Sequence, residues 1–183
     1  IEYERYDIKP RHFDRFVSDF FAGGGQGLNV TVPHKESAFL LSSPASEKVS
    51  LAKAVNTLYL DKIGELTGNN TDGAGLIRDI TVNPKVDISQ KKILILGAGG
   101  AVRGILPALI EMNPDMITVS NRTMEKAEAL KVELAKHYNI TTLPYADLGA
   151  DRFDLIINGT SMGIEGQMPH ISSAVLAETT VCY

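Results

Sequence analysis

The positions of apolar residues in the first 71 residues predict several short elements. At residues 10–21 the apolar side chains recur at helical spacing, and the glycines that follow suit the end of a helix. Further along, the pattern predicts a strand at 28–32, helices at about 33–41 and 47–53, and a β-hairpin that turns at 61–64. The first eight residues also alternate as in a strand. This part of the chain therefore mixes short helices and short strands.

Beyond residue 72 the pattern changes to strands that alternate with helices. The predicted elements are a helix at Asp72–Val82, a strand in KKILILG, a helix at Gly100–Glu111, a strand at Met116–Ser120, a helix at 124–138, a strand near Thr141, a strand at Phe153–Asn158 and the beginning of another in TTVCY. Such alternation is typical of right-handed βαβ units in a doubly wound parallel sheet. We therefore expect an α/β fold in two domains, residues 1–71 and 72–183.

Composition and charge narrow the class of protein. With 183 residues, 44% of them hydrophobic and 22% charged, the chain has the composition of a globular protein with a core. A net charge of −4 argues against nucleic-acid binding, and no apolar run is long enough to span a membrane. The single Cys182 excludes an internal disulfide framework and a cysteine-rich metal site. We expect a cytoplasmic protein without a metal, and the sequence leaves open whether it is a monomer or a homodimer.

The stretch ILILGAGGAVRG places glycines between a predicted strand and a predicted helix. Backbone N–H groups at such a turn, together with the helix dipole, form a binding site for the pyrophosphate of a dinucleotide. The spacing departs from the usual glycine pattern, because Val102 stands where a third glycine or alanine is expected and Gly104 follows later. The alternative is a turn that needs glycine only for tight packing of the strand on the helix. We predict a dinucleotide site that begins at Gly97.

The next predicted strand ends in Asn121, Arg122 and Thr123, and Lys126 follows shortly after. Proteins that bind NAD place an acidic residue at this strand end, where it holds the ribose 2′-hydroxyl. This strand end has no Asp or Glu, and the planar fork of an arginine suits the 2′-phosphate of NADP. We therefore predict NADP rather than NAD. The alternative is that Arg122 is a solvated surface charge and that Thr123 only caps the next helix.

A small polar loop, GTSMG, follows the predicted strand at Phe153–Asn158. Ligands of doubly wound sheets bind beyond the carboxyl ends of the strands. This rule predicts that Thr160, Ser161 and Met162 lie near the nicotinamide end of a bound cofactor. A glycine-rich turn without a ligand fits the spacing equally well.

Lys35 and Asp72 are candidate catalytic residues, and each has a plain structural alternative. Pro33 suits the first position of a helix, so Lys35 is expected in the first turn, where a cation opposes the helix dipole. The same field favours release of the lysine proton, which suits a proton donor, but on this physics alone a solvated lysine is the better interpretation. Asp72 suits a helix N-cap, and Asn56 suits a cap, a turn or a ligand contact at the start of a strand.

Six of these stretches together resemble the shikimate dehydrogenase family. NVTVPHK, AVNTL, NNTDG, GAGGAVRG, NRT and NGTSMG occur in that family's order and at similar spacing across nearly the whole chain. The resemblance implies an N-terminal α/β substrate domain followed by a Rossmann-like doubly wound parallel-sheet NADP domain. It also implies an enzyme that reduces 3-dehydroshikimate to shikimate with NADPH in aromatic amino-acid biosynthesis.

The resemblance also implies a role for residues in each stretch. Lys35 and Asp72 match the catalytic pair, which acts in proton transfer at the substrate oxygen while the nicotinamide delivers hydride to carbon. The matching substrate-binding positions are Asn29, Thr31 and Asn56. The matching cofactor-binding positions are Gly97, Ala98, Gly99, Gly100, Ala101, Asn121, Arg122, Thr123, Lys126, Thr160, Ser161 and Met162, with Glu47 as a further candidate on the cofactor side. The family often has arginine where Lys126 stands, so we expect a charge contact there rather than a bidentate one.

The chain departs from the family pattern at both ends. The family's serine-bearing loop, which binds the substrate carboxylate, would precede Ile1, and its last part would follow Tyr183. We therefore expect these 183 residues alone to bind NADP poorly and to turn over shikimate negligibly. Two other functions stay open. A quinate/shikimate dehydrogenase would use a related substrate, sometimes with NAD, and a non-catalytic sensor would bind metabolites of the pathway without turnover.

Overall fold

The computed structural model of the protein describes residues 2–149 and 151–183. These residues divide into two compact units that meet in sequence between Thr71 and Asp72. Each unit has a sheet and helices of its own. Among the described residues, no helix has both the length and the apolar character that crossing a membrane requires.

The first unit is built on a small mixed sheet. Its helices are α1 (Phe13–Ala22), α2 (Lys35–Leu41) and α3 (Glu47–Ala52), and a 3-10 turn at Pro10–His12 leads into α1. Its strands are β1 (Gly27–Asn29), β2 (Ser43–Pro44), β3 (Thr57–Leu60) and β4 (Leu66–Asn69), in the spatial order β1-β3-β4-β2. Strand β3 is antiparallel to both β1 and β4, whereas β2 runs parallel to β4. The β3–β4 pair is the predicted hairpin.

One face of α1 supplies much of the core of this unit. Phe13 and Val17 lie one helical turn apart, and they are only 4% and 2% exposed. The other buried residues of this cluster are Val30, Ala38, Val49, Val55 and Leu58. Gly24 follows the helix with a φ of 90°, so the glycine-rich stretch ends α1 as predicted.

The second unit is a parallel sheet with helices between its strands. Its helices are α4 (Asp72–Val82), α5 (Gly100–Glu111) and α6 (Met124–Leu134). Its strands are β5 (Lys92–Leu96), β6 (Met116–Ser120), β7 (Ile140–Thr142), β8 (Phe153–Asn158) and β9 (Leu176–Cys182). The spatial order is β7-β6-β5-β8-β9, and every described pair is parallel. The predicted doubly wound α/β fold is confirmed.

The order of these strands determines where a ligand would bind. The chain first builds outward from β5 through β6 to β7, and it then returns to the other side of β5 with β8. Ligands of open α/β sheets bind at this kind of reversal, beyond the carboxyl ends of the two central strands. Ile93, Leu94 and Ile95 of β5 are 0% exposed, because a parallel sheet is covered on both faces. The reversal therefore lies at a buried strand.

The structure corrects the predicted start of the first unit. Residues 2–9 do not form a strand. Strand β1 ends at Asn29 instead of continuing to residue 32, because the His34 N–H donates to the Thr31 carbonyl at 2.9 Å and closes a turn. Pro33 lies in this turn and not in the helix, whose first residue is Lys35.

The end of α6 also differs from the prediction. The helix stops at Leu134 rather than at residue 138. The N–H groups of His137 and Tyr138 both donate to the Leu134 carbonyl, at 2.8 and 2.9 Å, so the chain leaves the helix in a tight turn. The Tyr138 hydroxyl then donates to the Pro114 carbonyl at 2.8 Å, which connects this turn to the loop that precedes β6.

Candidate functional site

The turn between β5 and α5 has the backbone geometry of an anion site. Gly97 has a φ of 110°, and a Cβ atom there would lie 2.9 Å from the Gly159 carbonyl oxygen, so only glycine fits. Gly99 is the N-cap of α5 and is exposed, and a Cβ atom there would have no heavy atom within 4 Å. The first N–H groups of α5 have no partner inside the helix. The turn from Gly97 to Ala101 therefore offers backbone donors and room for a pyrophosphate.

Val102 and Gly159 explain why the glycine pattern departs from the usual one. Val102 is 0% exposed and stands where a small residue is expected. A Cβ atom on Gly159 would lie 2.5 Å from the Val102 Cγ2 atom. The valine side chain on α5 therefore fits only because the residue that follows β8 is a glycine. The Gly159 N–H donates to the Leu96 carbonyl at 2.8 Å, which holds this loop against β5. Sequence analysis missed Gly159, because nothing local links it to Val102.

The carboxyl end of β6 carries the residues predicted to bind a 2′-phosphate. Arg122, Thr123 and Lys126 are exposed, and the side-chain amide of Asn121 donates to the Thr123 carbonyl at 2.8 Å. Thr123 occupies the N-cap position of α6, but its side chain makes no capping hydrogen bond. Thr123 thus has the predicted cap position but not the side-chain bond of a cap. Burial raises the pKa of the neighbouring Tyr145, and the positive charge of Arg122 lowers it in part.

The loop after β8 is ordered by Asn158 and lies beside the glycine turn. The Asn158 Oδ1 atom accepts hydrogen bonds from the Thr160 N–H at 3.1 Å and from the Thr160 hydroxyl at 2.7 Å. The Thr160 nitrogen would lie 3.2 Å from a Cβ atom on Gly97. Ser161 is the N-cap of a 3-10 turn that begins at Met162. The structure thus brings Thr160 next to the predicted pyrophosphate turn, and Asn158 is a supporting residue that sequence analysis did not single out.

Asn56 ties together the strand ends of the first unit. Its backbone accepts from the Val30 N–H at 2.8 Å and donates to the Asn69 carbonyl at 2.9 Å. Its side-chain amide donates to the Thr71 hydroxyl at 2.9 Å, while its Oδ1 atom accepts from the Thr71 N–H at 3.1 Å and the Thr57 hydroxyl at 2.9 Å. Asn56 directly precedes β3 rather than beginning it. Its partner Thr71 was not predicted.

The predicted substrate-binding residues Asn29 and Thr31 are both exposed. Asn29 is the last residue of β1 and is paired with Thr57 of β3, next to Asn56. Thr31 lies beyond the strand, in the turn that leads to α2. Val30, between them, is buried, so the two exposed residues lie on either side of a core residue.

Lys35 is the first residue of α2 and is half-buried, so its predicted place in the first turn is confirmed. Its carbonyl accepts from the Val55 N–H at 2.9 Å, which joins the helix start to the segment before Asn56. The preceding residue, His34, stacks on Phe13 with ring centres 4.5 Å apart. The His34 Nε2 atom donates to the Ile8 carbonyl at 2.7 Å. Sequence analysis missed this anchoring role of His34.

Asp72 is the first residue of α4 and is half-buried, so it does not occupy the N-cap position predicted for it. Lys35 belongs to the first unit and Asp72 to the second. Glu47 begins α3 in the first unit and is exposed. Across residues 2–149 and 151–183, no group of three or more His, Cys, Asp or Glu side chains is arranged to hold a metal ion.

Comparison with known proteins identifies the family. Residues 1–58 match the family described as the shikimate dehydrogenase substrate binding domain, and residues 80–165 match that described as shikimate / quinate 5-dehydrogenase. A protein of Alkalilimnicola ehrlichii named shikimate dehydrogenase (NADP(+)) is 43% identical over 183 residues, which cover 100% of this chain and 67% of that protein. The chain belongs to the shikimate dehydrogenase family.

A second relative agrees with this membership of the shikimate dehydrogenase family, and a solved structure shares the fold. The shikimate dehydrogenase (NADP(+)) of Methylococcus capsulatus is 44% identical over 181 residues, which cover 99% of this chain and 65% of that protein. The crystal structure of an Ael1 enzyme from Pseudomonas putida superposes with a TM-score of 0.83 at 36% identity, over 97% of this chain and 65% of that one. The chain therefore spans about two thirds of the length of its relatives.

Proposed function

We propose that the protein is an NADP-dependent oxidoreductase that interconverts 3-dehydroshikimate and shikimate, a step of aromatic amino-acid biosynthesis in the cytoplasm. The observation that carries this proposal is the identity of 43% and 44% to two proteins named shikimate dehydrogenase (NADP(+)), over essentially the whole of this chain. In this proposal residues 1–71 bind the substrate and residues 72–183 bind the cofactor.

The residues of the second unit fit NADP. The turn from Gly97 to Ala101 offers backbone donors for the pyrophosphate, and it lies where the strand order reverses. Arg122, with its exposed charge directly after β6, suits a 2′-phosphate, and Asn121, Thr123 and Lys126 surround it in sequence. Thr160, Ser161 and Met162 are proposed to contact the nicotinamide half, with Glu47 as a further contact on the cofactor side.

Lys35 and Asp72 are proposed to manage the proton of the reaction. NADPH, when bound, supplies a hydride for the carbonyl carbon of 3-dehydroshikimate. Lys35 gives a proton to the carbonyl oxygen, which becomes the hydroxyl of shikimate, and in the reverse direction it takes that proton back. Asp72 is proposed to accept a hydrogen bond from the hydroxyl of the substrate during this proton transfer. Asn29, Thr31 and Asn56 are proposed to hydrogen-bond the ring hydroxyls.

Asn56 is held in place by its neighbours. Its side-chain amide donates to Thr71, and its Oδ1 atom accepts from Thr71 and Thr57. A side chain fixed in this way loses little conformational entropy when a substrate binds.

The test of the proposal is a kinetic comparison in the natural, full-length protein. We expect shikimate-dependent formation of NADPH, and a fall in kcat of about 10²- to 10⁴-fold in Lys35→Ala and Asp72→Asn with a small change in KM. Asp72→Ser is a second test of the same role, because a serine hydroxyl transfers no proton at neutral pH, so its kcat should also fall. Full kcat in either of the first two variants would contradict the assigned roles. A wild-type protein that binds shikimate without turnover would instead be a sensor.

A quinate/shikimate dehydrogenase is the second candidate function. It is favoured by the match of residues 80–165 to a family whose description includes both substrates. The ratio of kcat/KM for shikimate and quinate, measured with NADP and with NAD, distinguishes the two. Preference for quinate together with NAD would support the second candidate over the first.

A further inference from the structure

Arg103 lies in the glycine-rich stretch GAGGAVRG, but its charged group is bound to another helix. Its Nη1 atom lies 2.9 Å from the Glu133 Oε2 atom, and its Nη2 atom lies 3.2 Å from Oε1. The contact is a two-pronged one between a guanidinium and a carboxylate, the geometry that gives arginine its most specific ion pairs. The two side chains are only 12% and 27% exposed. Arg103 is therefore engaged with α6 rather than extended toward an anion at the turn.

Neither charge helps its own helix. Arg103 is the fourth residue of α5, close to the end at which the helix dipole is positive. Glu133 is the last residue but one of α6, close to the end at which the dipole is negative. Each charge therefore opposes the dipole of its helix, and each loses hydration through burial. Helix stability alone does not explain why these residues are used, whereas a link between α5 and α6 does.

The two helices carry the two anion-binding ends of the proposed cofactor site. The Arg103 N–H donates to the Gly99 carbonyl at 3.0 Å, so this residue closes the first turn of α5 directly on the glycine turn. Helix α6 begins at Met124, immediately after Arg122 and Thr123. Its residues Ala127, Leu130 and Leu134 are buried, and they pack this helix on the sheet. The spacing between the pyrophosphate turn and the 2′-phosphate residues thus depends on how α5 and α6 are packed.

We propose that Arg103 and Glu133 are a pair of positioning residues that fix α5 against α6, so that the pyrophosphate and the 2′-phosphate of one NADP molecule are bound at the same time. A ligand held at two points gains affinity only if the two sites keep the distance that the ligand spans. The pair acts through the backbone of the glycine turn and through the start of α6, and Arg103 does not contact a phosphate. This inference rests on the proposed binding of NADP.

Glu133→Gln is the decisive variant, measured by titration calorimetry of the natural, full-length protein. Removal of a negative charge should strengthen the binding of an anionic cofactor if only charge matters. We expect the opposite, a loss of about tenfold in affinity for NADP⁺, because the two sites no longer keep their spacing. Adenosine 2′-monophosphate needs only the α6 end of the site, so its affinity should stay within about twofold of the wild-type value.

Two further variants test whether the loss of NADP⁺ affinity in Glu133→Gln arises from the lost contact rather than from the change in net charge. Arg103→Lys keeps the positive charge but loses the two-pronged contact, and we expect a loss of about threefold or more for NADP⁺ only. Glu125→Gln removes the same charge from the exposed first turn of α6 and should bind NADP⁺ as well as the wild type or better. Thermal unfolding of each variant, followed by circular dichroism, gives its Tm. The titrations are carried out well below the lowest of these temperatures.

The outcomes separate this inference from the proposed function. A wild-type protein that binds neither NADP⁺ nor adenosine 2′-monophosphate overturns both. A wild-type protein that binds both ligands, with Glu133→Gln binding NADP⁺ as tightly as before or more tightly, overturns the positioning role alone. Equal losses for the two ligands also overturn it, because they indicate local damage to α6 rather than a loss of spacing.

Discussion

Gly73 of α4 packs directly on the backbone of Gly104 in α5. A Cβ atom on Gly73 would lie 3.0 Å from the Gly104 carbonyl oxygen and 2.8 Å from the Ala108 Cβ atom. Gly75, two positions further along the same helix, would have no heavy atom within 4 Å of its Cβ atom. The two helices thus touch through their backbones immediately after Asp72, and the position of that candidate catalytic residue depends on this contact.

The first prediction compares Gly73→Ala with Gly75→Ala. Alanine is favoured over glycine in a helix interior by about 0.8–1 kcal/mol, so Gly75→Ala should raise the free energy of unfolding by about that amount. Gly73→Ala gains the same propensity but forces α4 away from α5, and we expect a net loss of about 1–3 kcal/mol. Urea denaturation measures both. Shifts of the same sign in the two variants would show that the close helix contact carries no energy.

The second prediction concerns the packing of Gly159 on Val102. Gly159→Ala places a methyl group 2.5 Å from the Val102 Cγ2 atom, and the stiff β-branched side chain leaves it little room. We expect a loss of about 1–3 kcal/mol in the free energy of unfolding. Gly163→Ala in the next turn is the control, because a Cβ atom there has no neighbour within 4 Å.

A double variant tests the same contact more directly. In Gly159→Ala with Val102→Ala, the methyl group added at one position fills part of the space removed at the other. The combined loss of stability should therefore be smaller than the sum of the two single losses, by about 0.5 kcal/mol or more. Simple additivity would mean that the two residues do not share this space.

The elements that were predicted correctly are those whose signals are local. Strand β6 and helix α5 match their predicted bounds, because a continuous apolar run and a glycine-to-helix transition each determine the conformation over a few residues. Strand β1 was predicted too long, since the bond from His34 to the Thr31 carbonyl ends it, and nothing in the apolar pattern reports that bond. Residues 2–9 alternate but form no strand, because alternation does not provide a partner strand.

The candidate site could be predicted only in part, for a related reason. The residue types at Gly97 and Arg122 indicate their chemistry, since a turn that requires glycine and a strand end without an acid are visible in the sequence. The supporting contacts connect residues that are far apart in sequence: Val102 with Gly159, and Asn56 with Thr71. Such pairs follow from the fold, and a single sequence contains no local sign of them.

The third prediction concerns the choice between NADP and NAD. Arg122→Ala would remove the proposed charge-assisted contact to the 2′-phosphate, so the affinity for NADP should fall about 10- to 150-fold, with little change for NAD. Arg152→Ala is a matched control, because it removes an exposed arginine that precedes β8 and so lies at the amino end of that strand. Titration of both cofactors measures the effect. Equal losses for NADP and NAD, or no loss in Arg122→Ala, would refute the assignment of the 2′-phosphate.

The last prediction compares two half-buried tyrosines of the second unit. The Tyr138 hydroxyl donates to the Pro114 carbonyl at 2.8 Å, whereas the Tyr145 hydroxyl is buried with no hydrogen-bond partner among the described residues. Tyr138→Phe should therefore lower the free energy of unfolding at pH 7 by about 0.5–1.5 kcal/mol. Tyr145→Phe should leave it unchanged or raise it, because a buried hydroxyl without a partner contributes only the penalty of its lost hydration.

Alkaline pH provides a second readout for the same pair. Burial raises the pKa of both tyrosines above the ordinary value of 10.0, with an added contribution from Asp115 at Tyr138 and a partial offset by Arg122 at Tyr145. Above pH 10 the unfolded chain therefore releases these protons before the folded protein does, and stability falls as the pH rises through the folded pKa values. Below pH 10 both tyrosines stay protonated in the folded and the unfolded chain, so neither makes stability depend on pH there. We expect each Phe variant to lose less stability than the wild type as the pH rises above 10, and an unchanged slope in Tyr145→Phe would show that its burial does not persist in solution.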